Sequence, residues 1–141
     1  MPSELNVHAV CEGGMRFTAS AGEHSITLDY PMSPEETGAG ATPLQLLLAS
    51  LCACSGSTLG LVLRRMQQPF EGLEVHARAL RRDEHPTVLT EIALEFEVRG
   101  AGVDAQAVQR ALAVTENQLC PVWAMLKGGT PITTSFRLVA P

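Results

Sequence analysis

Residues 44–63 read LQLLLASLCACSGSTLGLVL and contain no charged side chain. A complete helix-start signal precedes and overlaps this run: Thr42 can cap the helix, Pro43 suits its first position and Gln45 can close a capping box. Two arginines follow the run and suit the negative end of a helix dipole. The sequence therefore predicts one long helix over residues 43–66.

This helix has two interpretations. Its uncharged run of 20 residues is long enough to span a bilayer. Polar residues inside the run and strand-like segments on both sides instead favour a helix that is buried by a sheet or by a second subunit. The polar residues are Gln45, Ser50, Ser55, Ser57 and Thr58. We therefore expect a buried helix and no membrane insertion.

The segments before the helix have the pattern of strands. Residues 5–11, 14–20 and 24–30 are predicted strands, with Gly-containing turns between them. A loop rich in Pro, Gly, Glu and Thr covers residues 31–42. Residues 1–42 are thus expected to form N-terminal strands and a loop.

After Pro69 the hydrophobic pattern changes to the alternation typical of strands. Strands are predicted over 72–83, 87–99 and 131–139, and the second of these has one apolar and one charged face. A helix is predicted from Asp104, as its cap, to about Gln118, and a short one from Cys120/Pro121 to Gly128. This order, ββ-αα-β over residues 70–141, completes a single α+β domain of 141 residues.

Composition excludes some classes of function. The net charge of -5 and the pI near 5.3 argue against a nucleic-acid partner, which would need a basic surface. The N-terminus shows no signal-peptide pattern, so four mostly reduced cysteines in a cytoplasmic protein are the better interpretation.

No metal site is expected. Cys52 and Cys54 are two residues apart, which on a helix separates their side chains by roughly 200°. They therefore cannot both face one ion. The four histidines fall on predicted strands and turns without ligand spacing.

Two cysteines suggest a dithiol redox centre. Cys54 lies in the apolar helix, and Cys120 stands directly before Pro121 at a predicted helix start, where the helix dipole lowers the pKa of a thiol. The alternative is that Cys54 is a small buried hydrophobe, which is the usual fate of a free cysteine.

Both cysteine segments resemble those of one known family. Residues 43–66 are similar to the central helix of the OsmC/Ohr family, and residues 116–132 (ENQLCPVWAMLKGGTPI) resemble its second cysteine helix. Residues 14–17 and 24–29 are similar to the N-terminal strands of one OsmC-like subgroup. The resemblance covers nearly the whole chain in the expected order.

The resemblance implies antiparallel sheets packed around a buried central helix in an intertwined homodimer. It also implies a thiol-dependent peroxidase acting on organic hydroperoxides, with Cys54 as the peroxidatic cysteine and Cys120 as the resolving cysteine. No bound cofactor is implied; an external dithiol, such as one of the lipoyl type, would reduce the disulfide. Cys52 stands where the family usually has a small residue.

Arg16 matches a family arginine and is the predicted cation that holds Cys54 as thiolate. Its alternative is an exposed strand residue. The family tends to place a glutamate in the first turn of the central helix to orient that arginine, whereas this chain has Gln45 there. Gln45 either accepts a hydrogen bond from the guanidinium or only closes the capping box.

The remaining predicted site residues are apolar. Leu48 and Leu51 would form walls that suit an alkyl peroxide. Trp123 either lines the substrate pocket beside Cys120 or is buried in the dimer core. Two rival functions stay open: a non-catalytic OsmC-like dimer that binds an apolar small molecule, and a structural Cys54–Cys120 disulfide, which would add roughly 4 kcal/mol of stability.

Overall fold

A computed structural model of the chain describes residues 3–141, which form two compact units. The first unit ends at Leu47, and the second runs from Leu48 to Pro141. Each unit is described by itself. The single domain over residues 1–141 stays a prediction.

The first unit contains a three-stranded antiparallel sheet in the order β1-β2-β3. Its strands are β1 (His8–Gly13), β2 (Arg16–Ala21) and β3 (His24–Leu28). Each lies within three residues of its predicted start. The β1–β2 turn depends on Gly14, whose φ of 56° is in the left-handed region that favours glycine.

Helix α1 (Pro43–Arg65) begins and ends almost as predicted. The capping box is present, since the Thr42 hydroxyl accepts the Gln45 N–H at 3.2 Å and the Gln45 side-chain oxygen accepts the Thr42 N–H at 3.0 Å. By length and apolar composition α1 could span a bilayer, a criterion that core helices of soluble proteins also meet. Leu51, Leu59 and Leu63 are fully buried.

The second unit contains a three-stranded sheet in the order β4-β5-β6. Its strands are β4 (Gly72–Arg81), β5 (Leu89–Arg99) and β6 (Ile132–Val139). β4 and β5 are antiparallel, but β6 runs parallel to β5, so this sheet departs from the expected antiparallel arrangement. The long helical connection between β5 and β6 explains the difference, because it returns the chain to the end from which β5 started.

That connection holds α2 (Ala105–Val114), a π-helical turn and α3 (Pro121–Leu126). The turn covers Thr115–Leu119 and is called the π-turn below. The single helix predicted to run to Gln118 thus leaves α-helical geometry after Val114. A hydrophobic pattern does not reveal such a change, because a π-helical turn is built from the same residue types as an α-helical turn.

The core of the second unit lies between α1, α2, α3 and the apolar face of the sheet. Its fully buried large side chains come from every one of these elements: Trp123, Phe96, Leu51, Leu59, Leu63, Ile92, Leu94, Val98 and Val108. Mixed α and β elements around one core establish the predicted α+β class.

Candidate active site

The second unit brings the two predicted redox cysteines together. Cys54 on α1 is partly buried, Cys120 before α3 is 1% exposed, and both belong to the same core, where Cys54 contributes to the raised pKa of Cys120. All four cysteines of the chain are free thiols. The two members of the pair are therefore neighbouring reduced thiols.

Two hydroxyl groups close to Cys54 in the sequence of α1 donate hydrogen bonds to backbone carbonyls of the same helix. Thr58 donates its hydroxyl proton to the Cys54 carbonyl at 2.8 Å, and buried Ser55 donates to the Leu51 carbonyl at 2.7 Å. Both polar side chains are thus satisfied by their own helix, so they can lie on a partly buried helix without an unpaired donor.

Cys52 faces away from this pair, as its helical spacing predicted. Its side chain lines a groove of about 610 Å³ formed by one side of α1 and by β4. The other lining residues are small or apolar: Ala49, Ala53, Gly56, Ser57, Leu73 and Val75. Burial raises the pKa of the Cys52 thiol. Cys52 and Cys54 therefore belong to different surfaces of one helix.

Cys120 forms the boundary between the π-turn and α3. Its N–H donates to the Thr115 carbonyl at 2.9 Å, its carbonyl accepts the Ala124 N–H at 3.0 Å, and Pro121 follows at the first position of α3. The main chain that carries the sulfur is thus held by backbone hydrogen bonds on both sides.

The pKa of Cys120 is raised, contrary to the expectation from its position at a helix start. Burial is the largest cause, and the neighbouring Cys54 adds to it. The backbone N–H groups of Trp123 and Val122 act in the lowering direction but do not prevail. Desolvation of the charged form therefore outweighs the local N–H groups.

The predicted apolar residues do not form an open wall in this conformation. Leu51 and Trp123 are fully buried, whereas Leu48 is half-buried and packs against the same core. The Trp123 ring stacks on Phe96 with centroids 6.3 Å apart and planes 10° from parallel. Trp123 thus lies in the core of its own unit, and its indole N–H is buried without a hydrogen-bond partner among residues 3–141.

The other two predicted site residues, Arg16 and Gln45, belong to the first unit. Arg16 is half-exposed, and its Nε lies 3.5 Å from Oδ2 of Asp29. The Gln45 side-chain oxygen accepts the Thr42 N–H, which fits the capping interpretation. A role for either residue at Cys54 stays a prediction.

Asp29 is the carboxylate that sequence reasoning missed. Its oxygens accept the N–H groups of Ala39 and Tyr30, each at 2.9 Å. The Ala39 bond is the largest cause that lowers the pKa of Asp29, and the Tyr30 bond and Arg16 act in the same direction against partial burial. The signal for this pair was the β2–β3 hairpin, whose tight turn sets Ala21 opposite His24 and Phe17 opposite Leu28, so that Arg16 and Asp29 come next in the register.

The outer face of the second sheet carries a group that the sequence analysis did not anticipate. Three atoms that could ligate a metal, one from each of Glu74, His76 and Glu97, lie within 4.8 Å of one another. Arg137 already contacts Glu97 at 2.6 Å and Glu95 at 3.6 Å. We read this group as a cross-strand ion-pair network.

Comparisons with known proteins agree with the fold. The family model described as OsmC-like protein matches residues 36–135. Protein YhfA of Escherichia coli K12 is 30% identical over 128 residues, which is 90% of this chain and 92% of that protein.

Two solved structures show the same fold at low sequence identity. A hypothetical protein from Aquifex aeolicus VF5 superposes with a TM-score of 0.89 at 23% identity, with 99% of each chain covered. An organic hydroperoxide resistance protein from Elizabethkingia anophelis superposes with a TM-score of 0.70 at 20% identity, over 100% of this chain and 99% of that one.

Proposed function

Because the chain belongs to the OsmC-like protein family, we propose that it is a thiol-dependent peroxidase that reduces organic hydroperoxides to alcohols. The observation that carries the proposal is that Cys54 and Cys120 are neighbours in the core of the second unit, where Cys54 contributes to the raised pKa of Cys120. The fold it shares with a protein named for organic hydroperoxide resistance supports the choice of substrate class.

In the first step the Cys54 thiolate attacks the distal oxygen of the hydroperoxide and the O–O bond breaks. The leaving alkoxide takes a proton and departs as an alcohol, and Cys54 is oxidised to a sulfenic acid. Cys54 suits this step better than Cys120, since Cys120 is almost completely buried and burial raises the pKa of its thiol.

In the second step Cys120 condenses with the sulfenic acid. An S–S bond forms, the hydroxyl of the sulfenic acid leaves as water, and the Cys120 proton is lost to it. An external dithiol, for which a lipoyl-type compound is our candidate, then reduces the Cys54–Cys120 disulfide by two successive exchanges. No bound cofactor takes part in this scheme.

The proposal assigns supporting roles to the other predicted residues. Leu48, Leu51 and Trp123 would provide apolar contacts to an alkyl chain, which requires the buried members to move apart when substrate enters. Arg16 is proposed to stabilise the Cys54 thiolate, and Gln45 is proposed to contact the hydroperoxide. The working protein is proposed to be a cytoplasmic homodimer.

The proposed function predicts the loss of two thiols per chain. Reduced protein given stoichiometric cumene hydroperoxide should lose two thiols, whereas Cys120→Ser should lose one and stop at a Cys54 sulfenic acid that dimedone traps. Thiol titration and mass spectrometry of the modified peptides measure both. Cys52→Ser is the matched control and should behave like wild type, because Cys52 faces the other side of α1. Unmodified Cys54 under excess peroxide would refute the catalytic proposal.

The second candidate is a non-catalytic dimer that binds an apolar small molecule. One observation favours it: the first unit has a cavity of about 360 Å³ with an almost wholly apolar lining. Its lining includes Met15, Phe17, Leu28, Tyr30 and Leu46. The thiol count distinguishes the two candidates, since an apolar binder would keep its thiols in the presence of peroxide.

A further inference from the structure

The π-turn interrupts a regular pattern of buried positions. On α2 the buried residues Val108, Ala111 and Leu112 recur at α-helical spacing, and Thr115 continues the series. The next buried residue is Cys120, five positions after Thr115, and the intervening residues are exposed or only partly buried. The interval of five is one residue longer than an α-helix provides.

A continued α-helix would have buried a different residue. Four residues advance an α-helix by about 400°, which returns to nearly the same face, whereas five advance it by about 500° and leave the side chain roughly 140° away. Leu119 would then face the core beside Thr115, and Cys120 would point away from it. The structure has the reverse, with Leu119 43% exposed and Cys120 1% exposed.

The backbone hydrogen bonds show how Cys120 takes the buried position that Leu119 would have in an α-helix. The Cys120 N–H bonds to the Thr115 carbonyl across five residues, in place of the four-residue bond that Leu119 would make. Thr115 is itself fully buried, and its hydroxyl donates to the Ala111 carbonyl at 2.8 Å. Insertions of one residue into a helix are often found at functional sites.

We propose that the π-turn Thr115–Leu119 is a positioning element for the resolving thiol: its extra residue turns Cys120 toward Cys54 and leaves the more hydrophobic Leu119 outside. This inference rests on the proposed function, in which Cys120 resolves the Cys54 sulfenic acid. It assigns a role to a segment that acts through the direction of one sulfur.

Two changes in length at the exposed Asn117 test the proposal. Deleting Asn117 places Cys120 four residues after Thr115, so a plain α-helix keeps the thiol on the buried face. Inserting one alanine after Asn117 makes the interval six, which turns the thiol away. If residues 116–119 were only a connecting loop, both changes would have similar effects.

The measurement is the equilibrium between the dithiol and the Cys54–Cys120 disulfide in glutathione buffers, which needs no peroxide. We expect the disulfide equilibrium constant to stay within about threefold of wild type in the deletion and to fall by at least about tenfold in the insertion, because disulfide geometry tolerates little displacement. In peroxide assays the Cys54 sulfenic acid should live as long in the insertion as in Cys120→Ser. Equal effects of deletion and insertion would overturn the proposal.

A variant of unchanged length covers the case in which the insertion does not fold. Leu119→Cys combined with Cys120→Ser puts the only nearby thiol at the exposed position, and it should form no more disulfide with Cys54 than Cys120→Ser alone. Disulfide formation at the wild-type level would overturn the proposal.

The proposed function can fail separately from this inference. If wild-type protein forms the disulfide in glutathione but does not react with organic hydroperoxides, the peroxidase proposal fails while the role of the π-turn stands. If wild-type protein reduces hydroperoxides and the insertion resolves its sulfenic acid at the wild-type rate, the role of the π-turn fails.

Discussion

The sulfur of Cys120 is subject to two opposed influences. Backbone N–H groups of α3 favour its thiolate, while burial and the adjacent Cys54 favour the neutral thiol, and burial is the larger effect. A sequence shows that a cysteine precedes a helix start, but it does not show how much of the sulfur is removed from water. A cysteine at an exposed helix start would keep the effect of the backbone N–H groups without the opposing effect of burial, and its pKa would be lowered.

The raised pKa of Cys120 makes a prediction about pH. The titration of Cys120, followed by the ¹³C chemical shift of its Cβ in a variant in which Cys11 and Cys52 are serine, should have its midpoint above the ordinary thiol pKa of about 8.5. Adding Cys54→Ser should bring the midpoint closer to the ordinary value, because Cys54 is one cause of the shift. A midpoint below 8.5 would contradict this.

The raised pKa of Cys120 also predicts that the free energy of unfolding falls as the pH rises. Because the pKa of Cys120 is raised in the folded state, its contribution to stability is fully present below the unfolded thiol pKa and is lost as pH rises through the folded pKa. Denaturant unfolding of reduced protein between pH 7 and pH 10 should show this loss, relative to Cys120→Ser.

At the level of elements, helix ends could be predicted from the sequence and interruptions could not. Thr42, Pro43 and Gln45 predicted the start of α1 correctly because a capping box is a local signal. The π-turn has no such signal, since tertiary packing selects Cys120 over Leu119. The parallel direction of β6 also depends on the path of the whole crossover rather than on the residues of the strand.

The start of α2 offers a test at this level. Asp104 caps α2 by accepting the N–H groups of Gln106 and Ala107, each at 3.3 Å. Asp104→Ala should lower the free energy of unfolding by about 1 kcal/mol, whereas Asp104→Asn, which can still cap, should have a much smaller effect. Urea denaturation of the reduced protein measures both. Equal losses in the two variants would show that Asp104 acts through its charge instead.

At the level of the whole molecule, the order of elements was enough to predict the α+β class, and the resemblance of the two cysteine segments indicated the family. The long-range pairs were not predictable in this way. Glu97 meets Glu74 and His76 only after β4 and β5 pair, and the sequence alone does not show the register of that pairing. Cys54 and Cys120 were paired from their positions in an apolar helix and at a helix start, the resemblance gave them their roles, and they are neighbours in the core of the second unit.

The homodimer can be tested through the groove on α1. Its small and apolar lining around Ala53 is the kind of surface that a second copy would cover. Light scattering at micromolar concentration should report a dimer for the wild type, and Ala53→Glu should shift it toward monomer. Ala124→Glu, on the exposed side of α3, is the matched control and should remain dimeric. A stable wild-type monomer would refute the prediction.

The stack of Trp123 on Phe96 also provides a fluorescent probe beside Cys120. Trp123 is the only tryptophan of the chain, it is shielded from water, and it lies three residues after Cys120. Its fluorescence therefore comes from one place, beside the sulfur whose bonding changes during the proposed cycle. Opening of that region or formation of a nearby disulfide, which quenches indole emission, would change the signal, so each turnover could be followed in real time without an attached dye.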